Sequence, residues 1–122
     1  MHISLENPDY RYICRGLSQN GVLVNNLDLQ ASFIVSPNHL IEDWSVKTMA
    51  ELSLEVWQPI LDLKPSLFIL GTGALQIFPE PKHIAFFLQR GIGFEVMNNS
   101  AAARTFNILA HEARNVVTGF IV

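Results

Sequence analysis

The stretch Leu67-Phe68-Ile69-Leu70-Gly71-Thr72-Gly73 decides the fold. Its first four residues form a continuous apolar run, which is typical of a strand that is covered on both faces in a parallel sheet. The two glycines predict a tight turn after this strand, because glycine adopts positive φ angles at little cost. We therefore expect a buried parallel strand that ends at this turn.

The residues after the turn complete a β-α-β-α-β unit. Pro81 suits the first turn of a helix that continues over Lys82 to Arg90. Phe94 to Met97 is the next predicted strand, Ala101 to Arg114 the next helix, and Val116 to Val122 the last strand. Crossovers between parallel strands are almost always right-handed, so we expect three parallel strands with the helices beside them.

The residues before the turn predict an antiparallel β meander in the first third of the chain. Short runs of β-forming residues alternate there with turn residues. The predicted strands are Tyr10 to Arg15, Val22 to Val24, Leu27 to Val35, and Leu40 to Val46. Leu27 to Val35 alternates apolar and polar residues, which indicates one buried face and one solvent-exposed face.

The segment between the meander and the turn predicts a helix. Ser53 can cap a helix that runs through Leu63. Pro59 should shorten or kink that helix, because proline removes a backbone donor.

Length and composition predict one domain, residues 1–122, that self-associates or binds a protein partner. No linker or repeat divides the 122 residues. Apolar residues make up 49% of the chain and charged residues 16%, whereas a typical domain is about 25% charged. So few charges predict self-association or docking on a protein partner. The net charge of −3, without a cluster of basic residues, argues against nucleic-acid binding.

Location can be predicted from cysteine usage and hydropathy. Cys14 is the single cysteine, so no internal disulfide can form, which fits a reducing compartment. The N-terminus has no basic region followed by an apolar run, so it does not resemble a signal peptide. The apolar run from Ile84 to Leu88 is far shorter than the roughly 20 residues that span a bilayer. We expect a soluble cytoplasmic protein without a membrane span.

A candidate ligand site lies where two parallel strands end. In open α/β sheets, ligands bind outside the carboxyl ends of the strands. A helix N-terminus at the second strand end favours an anion, and Ser100 is the predicted N-cap there. Arg104, one helical turn later, can add a charge-assisted contact. The predicted site comprises Gly71, Thr72, Gly73, Asn98, Ser100 and Arg104.

The alternative is that the turn is purely structural. The next predicted helix begins about ten residues after Gly73, whereas dinucleotide and P-loop motifs open directly onto a helix. The sequence therefore predicts neither a nucleotide motif nor a cofactor.

The remaining polar residues suggest structural pairing or surface contacts more than catalysis. Glu95, an acidic residue in an apolar strand, could pair with Arg104 and be structural or functional. One helical face carries Arg104, Asn107, His111 and Arg114, either as a solvated face or as a polar contact surface. The histidines (His2, His39, His83 and His111) lack metal-ligand spacing, so no metal site is predicted. No motif names a reaction, which favours a protein that is not an enzyme.

Several segments together resemble a known family. They are Ile41 to Trp44, Leu70 to Gly73, Gly91 to Met97, and Ala102 to Leu109. The chain resembles the family of small Mth-type domains that includes the mitochondrial respiratory complex I assembly factor 3 and an adipogenesis-associated relative. The positions that match the motif are Gly71, Thr72, Gly73, Glu95, Arg104, Thr105 and Asn107.

The resemblance implies a fold and a kind of function. It implies a three-layer α/β fold with a mixed central sheet, and no established catalytic residues. The chain looks like a stand-alone bacterial member. The low charge, the absence of a catalytic motif and the resemblance favour a non-enzymatic protein-binding or assembly factor. The alternative, based on the residues at the strand ends, is a small-molecule or anion-binding protein, even an enzyme, that uses the pocket at Gly71-Thr72-Gly73.

Overall fold

The computed structural model describes residues 11–122, which form strands, short 3₁₀ segments and three α-helices. The strands are β1 Cys14–Leu17, β2 Val22–Val24, β3 Leu27–Leu29, β4 Phe33–Val35, β5 Leu40–Ile41, β6 Leu67–Gly71, β7 Gly93–Met97 and β8 Val116–Phe120. The helices are α1 Gln58–Asp62, α2 Pro81–Leu88 and α3 Asn99–His111, and the 3₁₀ segments are Met49–Glu51 and Leu54–Trp57. Of the predicted first strand, Tyr10 lies outside the described residues.

The central sheet is mixed and has five strands in the order β5-β4-β8-β6-β7. Strand β6 pairs in parallel with both β7 and β8, and β4 joins β8 in antiparallel register. The predicted set of three parallel strands is therefore confirmed. Strand β6 lies in the middle of that set, which explains its continuous apolar run.

Two hydrophobic clusters cover the two faces of this sheet. Phe68 and Leu70 of β6 belong to one cluster, and Ile69 belongs to the other. Helix α3 and a separate antiparallel sheet of β1, β2 and β3 pack on the Ile69 face. Helices α1 and α2 pack on the opposite face, which also buries Trp57. The chain is thus a three-layer α/β fold, as the sequence resemblance implied.

The predicted strand from Leu27 to Val35 is wrong as a single element. Its two ends belong to different sheets, because the chain passes between layers after β3. Leu27 and Ala31, expected on the buried face, are exposed, whereas every residue of β4 is buried. The alternation that suggested one half-buried strand therefore combines a short outer strand with a fully buried one.

Two other predicted elements are shorter in the structure. Of Leu40 to Val46, only Leu40–Ile41 is a strand, although Trp44 is buried and its indole N–H donates to the Val56 carbonyl at 3.2 Å. After Ser53 the chain forms a 3₁₀ segment before α1, and the Ser53 side chain makes no capping hydrogen bond. Pro59 lies in the first turn of α1, which is short as predicted.

The side chain of Asn107 fastens the small sheet to α3. Its Oδ1 atom accepts a hydrogen bond from the Cys14 backbone N–H at 2.8 Å, and its Nδ2 atom donates to the Cys14 carbonyl oxygen at 2.6 Å. The amide therefore replaces a neighbouring strand for one residue of β1. Asn107 is half-buried, so it does not belong to a fully solvated helix face.

We expect Asn107→Ala to lower the free energy of unfolding by about 2 kcal/mol, because it leaves a partly buried backbone donor and acceptor unpaired. Urea denaturation measures the loss. Arg104→Ala is the matched control on the same helix, since Arg104 is exposed, and it should change stability by less than about 0.5 kcal/mol. Equal losses in the two variants would contradict a fastening role for Asn107.

Candidate functional site

The Gly71-Thr72-Gly73 turn lies directly beside the start of α3. The Thr72 backbone N–H donates to the Met97 carbonyl at 2.9 Å. Gly73 and Asn99 exchange two hydrogen bonds: Asn99 N–H to the Gly73 carbonyl at 2.8 Å, and Gly73 N–H to Asn99 Oδ1 at 3.0 Å. The two strand ends that the sequence pointed to are therefore neighbours.

Asn99 holds this corner together. Besides accepting from Gly73, its buried side chain donates from Nδ2 to the Ile121 carbonyl at 3.0 Å. A Cβ atom on Gly71 would lie 2.5 Å from Asn99 Oδ1, so glycine is needed for this close approach. Gly73 has φ +96°, which also favours glycine. Gly71 thus makes room for a side chain of the protein itself, and Gly73 allows the backbone to turn.

Sequence reasoning missed the role of Asn99. The available signal was the pair of adjacent asparagines at the start of a helix, because one asparagine is sufficient for a cap. Asn98 is that cap, and its Oδ1 atom accepts from the Ala101 N–H at 2.8 Å. The predicted cap at Ser100 is wrong, because the helix begins at Asn99, two residues before the predicted start at Ala101.

Two N–H groups in the first turn of α3 donate to other groups of the protein. Asn99 N–H donates to the Gly73 carbonyl, and Ala101 N–H donates to Asn98 Oδ1. These are two of the donors that would otherwise face an anion at a helix N-terminus. Ligand binding at the predicted residues stays a prediction.

The side chains of Arg104 and Glu95 do not form an ion pair. The Arg104 guanidinium donates from Nη1 to Ser100 Oγ at 2.8 Å, and both Arg104 and Glu95 are exposed. Among residues 11–122, the ion pair that forms is Lys82 with Glu80, at 3.8 Å. The expected Glu95–Arg104 pair is therefore absent from the described structure.

Thr72 organises the loop that follows the turn. Its hydroxyl donates to the Leu75 carbonyl at 2.6 Å and accepts from the Ile77 N–H at 3.0 Å. Gln76 adds a hydrogen bond from Nε2 to the Val96 carbonyl at 2.9 Å. The buried threonine thus orders residues 74–79, which we call the apolar loop.

The apolar loop presents large hydrophobic side chains to solvent. Leu75 is 71% exposed, Phe78 65% and Ile77 46%. Exposed apolar groups are common singly, whereas a large contiguous patch of them is typical of an interaction site. None of these three residues belongs to the ligand site that the sequence predicts.

The cavities lie away from the turn. One of about 360 Å³ is lined by Ser36, Pro37, Asn38, His39, Leu63, Ala110, Ala113, Arg114 and Asn115. A second, of about 310 Å³, is lined by Met49, Ala50, Leu52, Ile77, Phe78, Pro79, Glu80 and His83. The second cavity shares Ile77 and Phe78 with the apolar loop.

Two buried titratable groups have shifted pKa values. Burial raises the pKa of the Cys14 thiol to about 12, so Cys14 is protonated and unreactive at neutral pH. Burial, and then the charge of Lys82, lower the pKa of His83, while Glu80 acts in the opposite direction. His83 is therefore neutral at pH 7. Within residues 11–122, no cluster of three His, Cys, Asp or Glu residues is arranged to hold a metal ion.

The described helices can be compared with the dimensions of a bilayer. None of the helices within residues 11–122 has both the length and the apolar character needed to cross a membrane.

The three-layer arrangement defines the class of domain. A Bordetella pertussis protein described as a Mth938-like domain superposes with a TM-score of 0.77 at 23% identity, over 89% of this chain and 84% of that one. An NMR structure of a Xanthomonas campestris protein superposes with a TM-score of 0.85 at 43% identity, over 100% of this chain and 92% of the other. The fold is therefore that of the Mth938-like domains.

The chain belongs to the family described as "Protein of unknown function (DUF498/DUF598)", which matches residues 14–121. It is also 30% identical, over 116 residues, to the bovine NADH dehydrogenase [ubiquinone] 1 alpha subcomplex assembly factor 3. That similarity covers 93% of this chain, and the chain spans 61% of the length of the bovine protein. The family resemblance expected from the sequence is confirmed.

We expect Asn99→Ala to destabilise the protein by about 2–4 kcal/mol, because it leaves a donor at Gly73 and an acceptor at Ile121 unpaired. The control is Asn98→Ala, which removes a helix cap and should cost about 1 kcal/mol. Chemical denaturation of both variants gives the comparison. A loss at Asn99 no larger than that at Asn98 would show that the bridge contributes little.

Proposed function

We propose that this protein is a non-enzymatic binding protein that acts in the assembly or biogenesis of a larger protein complex, and that the apolar loop is its docking segment. The observation that carries the proposal is the ordered exposure of Leu75, Ile77 and Phe78. Burial of these side chains against a partner would remove apolar surface from water, which is the main driving force of association.

The order of the loop strengthens the proposal. Hydrogen bonds from Thr72 and Gln76 hold the loop in one conformation before any partner arrives. A preorganised segment loses less conformational entropy on binding than a flexible one does. The buried Thr72 thus helps to fix the conformation in which Phe78 is exposed.

The polar groups near the turn support binding over catalysis. In α/β enzymes, polar groups at the strand ends face a substrate. Here Asn99, Thr72 and the backbone of Gly73 bond to other groups of the same chain. The similarity to the bovine protein, which is named as an assembly factor, agrees with a role carried out through protein partners.

We expect the double variant Leu75→Ser/Phe78→Ser to lose its protein partners by at least about tenfold, because roughly 25 cal/mol is lost for each Å² of apolar surface no longer buried. Native co-purification from the source cells, with quantitative mass spectrometry, measures recovery. The matched control is Leu88→Ser/Ile108→Ser, which changes two apolar residues that are each 59% exposed elsewhere on the surface.

The possible results distinguish docking on another protein from self-association. Equal recovery with the loop variant and the control, or recovery of no other protein with the wild-type chain, would contradict docking through the loop. If the partner is a second copy of this chain, light scattering should find an oligomer for the wild-type chain and not for the loop variant. Recovery of NADH dehydrogenase subunits would support the role named for the bovine relative.

An anion or small polar ligand at the turn is the second candidate function, and one observation favours it. The exposed Arg104 guanidinium lies beside Ser100 at the first turn of α3, where the helix dipole also attracts an anion. The predicted ligand residues Gly71, Thr72, Gly73 and Asn98 belong to the same corner of the fold.

The test is thermal unfolding with added phosphate or sulfate. A bound anion at 100 times its dissociation constant should stabilise the wild-type chain by about 2.7 kcal/mol. Because the Asn99 and Ala101 N–H groups already bond within the protein, we expect no difference between the wild-type chain and Arg104→Ala. An anion-dependent increase in Tm that Arg104→Ala abolishes would instead establish the anion site.

A further inference from the structure

Strand β7 forms one edge of the central sheet. It pairs with β6 alone, and the strand order places it at the end of the sheet. The Met97 carbonyl accepts from the Thr72 N–H, just beyond the end of β6. Because the backbone groups of successive strand residues point to opposite sides, Glu95 also bonds toward β6. The N–H and C=O groups of Phe94 and Val96 therefore point to the open side of the strand.

Most of these outward groups have no partner in the protein. Among residues 11–122, the group that bonds to the Val96 carbonyl oxygen is the Gln76 side chain, through Nε2 at 2.9 Å. The N–H and C=O of Phe94 and the N–H of Val96 have no partner in the same part of the chain. Such a row of backbone groups is a template for the addition of a strand from another chain.

This edge adjoins the apolar loop. Gln76 belongs to the loop, and its side chain reaches the edge at Val96. Its neighbours in sequence, Leu75 and Ile77, are two of the exposed hydrophobic residues of the loop. A chain segment that pairs with β7 would therefore also meet the loop, so the edge and the loop form one continuous surface.

Glu95 determines which strand fits this edge. It is exposed, lies in the middle of β7 and forms no ion pair within residues 11–122. In an antiparallel pair of two copies with Phe94 opposite Val96, Glu95 would lie directly opposite the Glu95 of the second copy. Like charges in that position destabilise a strand pair, whereas a basic residue there is favourable.

Other registers between two copies are restricted by bonds that the chain already makes. A pair centred on Phe94 needs the outward N–H of Ile92, which donates to the Phe87 carbonyl at 3.0 Å. A pair centred on Val96 needs the Val96 carbonyl, which accepts from Gln76. The edge therefore fits a different protein better than it fits a second copy of this chain.

The residues on either side of Glu95 face the other side of the sheet. The Phe94 ring packs edge-on against Phe68 and Phe87, with centroid distances of 5.1 and 5.0 Å. Glu95 is in register with Ile69, which belongs to the cluster on the opposite face. A strand added to this edge would thus place apolar side chains beside Phe94 and Val96 and a charged side chain beside Glu95.

We propose that β7 receives an extended segment of a partner protein in antiparallel register, with a lysine or arginine opposite Glu95 and an apolar residue on each side of it. One residue of the segment exchanges two hydrogen bonds with Phe94. The basic residue takes the non-hydrogen-bonded position, where opposed side chains are closest. This inference rests on the proposed docking function, because the apolar loop adjoins the same edge.

Capped pentapeptides test the proposal: acetyl-Thr-Val-Lys-Val-Thr-amide, the same peptide with glutamate in place of lysine, and the lysine peptide N-methylated at both valines. NMR titration follows the backbone N–H resonances of Phe94 and Val96. We expect saturable shifts of both with the lysine peptide. The other two should bind roughly tenfold more weakly, because one is repelled by Glu95 and the other lacks the strand donors. Absence of saturable shifts at millimolar lysine peptide would overturn the proposal.

Reversal of the charge at the edge is the decisive variant. Glu95 is exposed and unpaired within the described chain, so Glu95→Lys should fold like the wild-type protein. We expect it to prefer the glutamate peptide over the lysine peptide. The matched control is Glu42→Lys, an exposed position next to β5 at the opposite edge of the sheet, which should keep the wild-type preference. An unchanged preference in Glu95→Lys would reject the inference.

A second pair of variants tests the backbone. Val96→Pro removes an outward N–H and leaves the bonds to β6 in place, and proline is accepted on edge strands. Val96→Ala is its control, because it shortens the side chain but keeps the N–H. We expect Val96→Pro to bind the lysine peptide at least about tenfold more weakly than Val96→Ala does. Equal binding by the two variants would reject strand addition, and if Val96→Pro does not fold, Glu95→Lys decides.

The proposed function and this inference fail separately. If Leu75→Ser/Phe78→Ser loses its partners in native co-purification while Glu95→Lys recovers the wild-type set, the docking function stands and the edge inference falls. If Glu95→Lys loses the partners and the loop variant keeps them, docking through the loop falls and the edge inference stands. A wild-type dimer in light scattering that Val96→Pro abolishes would make the occupant a second copy and reject the basic partner segment.

Discussion

The rest of the structure depends on two hydrogen bonds made by the side chain of Asn99. They join the turn after β6 to the backbone just beyond β8, at the point where α3 begins. Strands β6 and β8 are the inner parallel pair of the sheet, so their relative position sets both hydrophobic faces. The bond to Gly73 requires a glycine at position 71, because a side chain there would collide with the Asn99 oxygen. This polar contact thus accounts for the glycine at position 71.

The sequence was most informative where one physical requirement governed a whole segment. Residues 67–70 had to be apolar on both faces, which made the parallel strand β6 predictable. It was least informative where two short elements abut. Residues 27–35 alternate as one strand would, yet they cross from the outer sheet to the central one. Periodicity cannot reveal such a crossing, because both short strands satisfy the same local pattern.

The sequence predicted correctly that the turn lies beside the start of α3, but it did not predict the hydrogen bonds between them. The sequence brought the turn and the start of α3 to one corner, since parallel strands end at the same edge of a sheet. It could not show that Asn99 and Thr72 use the polar groups there, because a hydrogen-bond partner depends on tertiary position. The exposure of Leu75, Ile77 and Phe78 was equally hidden, since apolar residues after a strand are as compatible with burial as with a docking loop.

The contact between Asn107 and Cys14 makes the thiol a natural reporter on the outer sheet. The Cys14 side chain is buried in the cluster that joins this sheet to α3, and its backbone is held by the Asn107 amide. An alkylating reagent can reach the sulfur only when β1 leaves the helix. The rate of alkylation would therefore measure how often this layer opens while the central sheet stays folded.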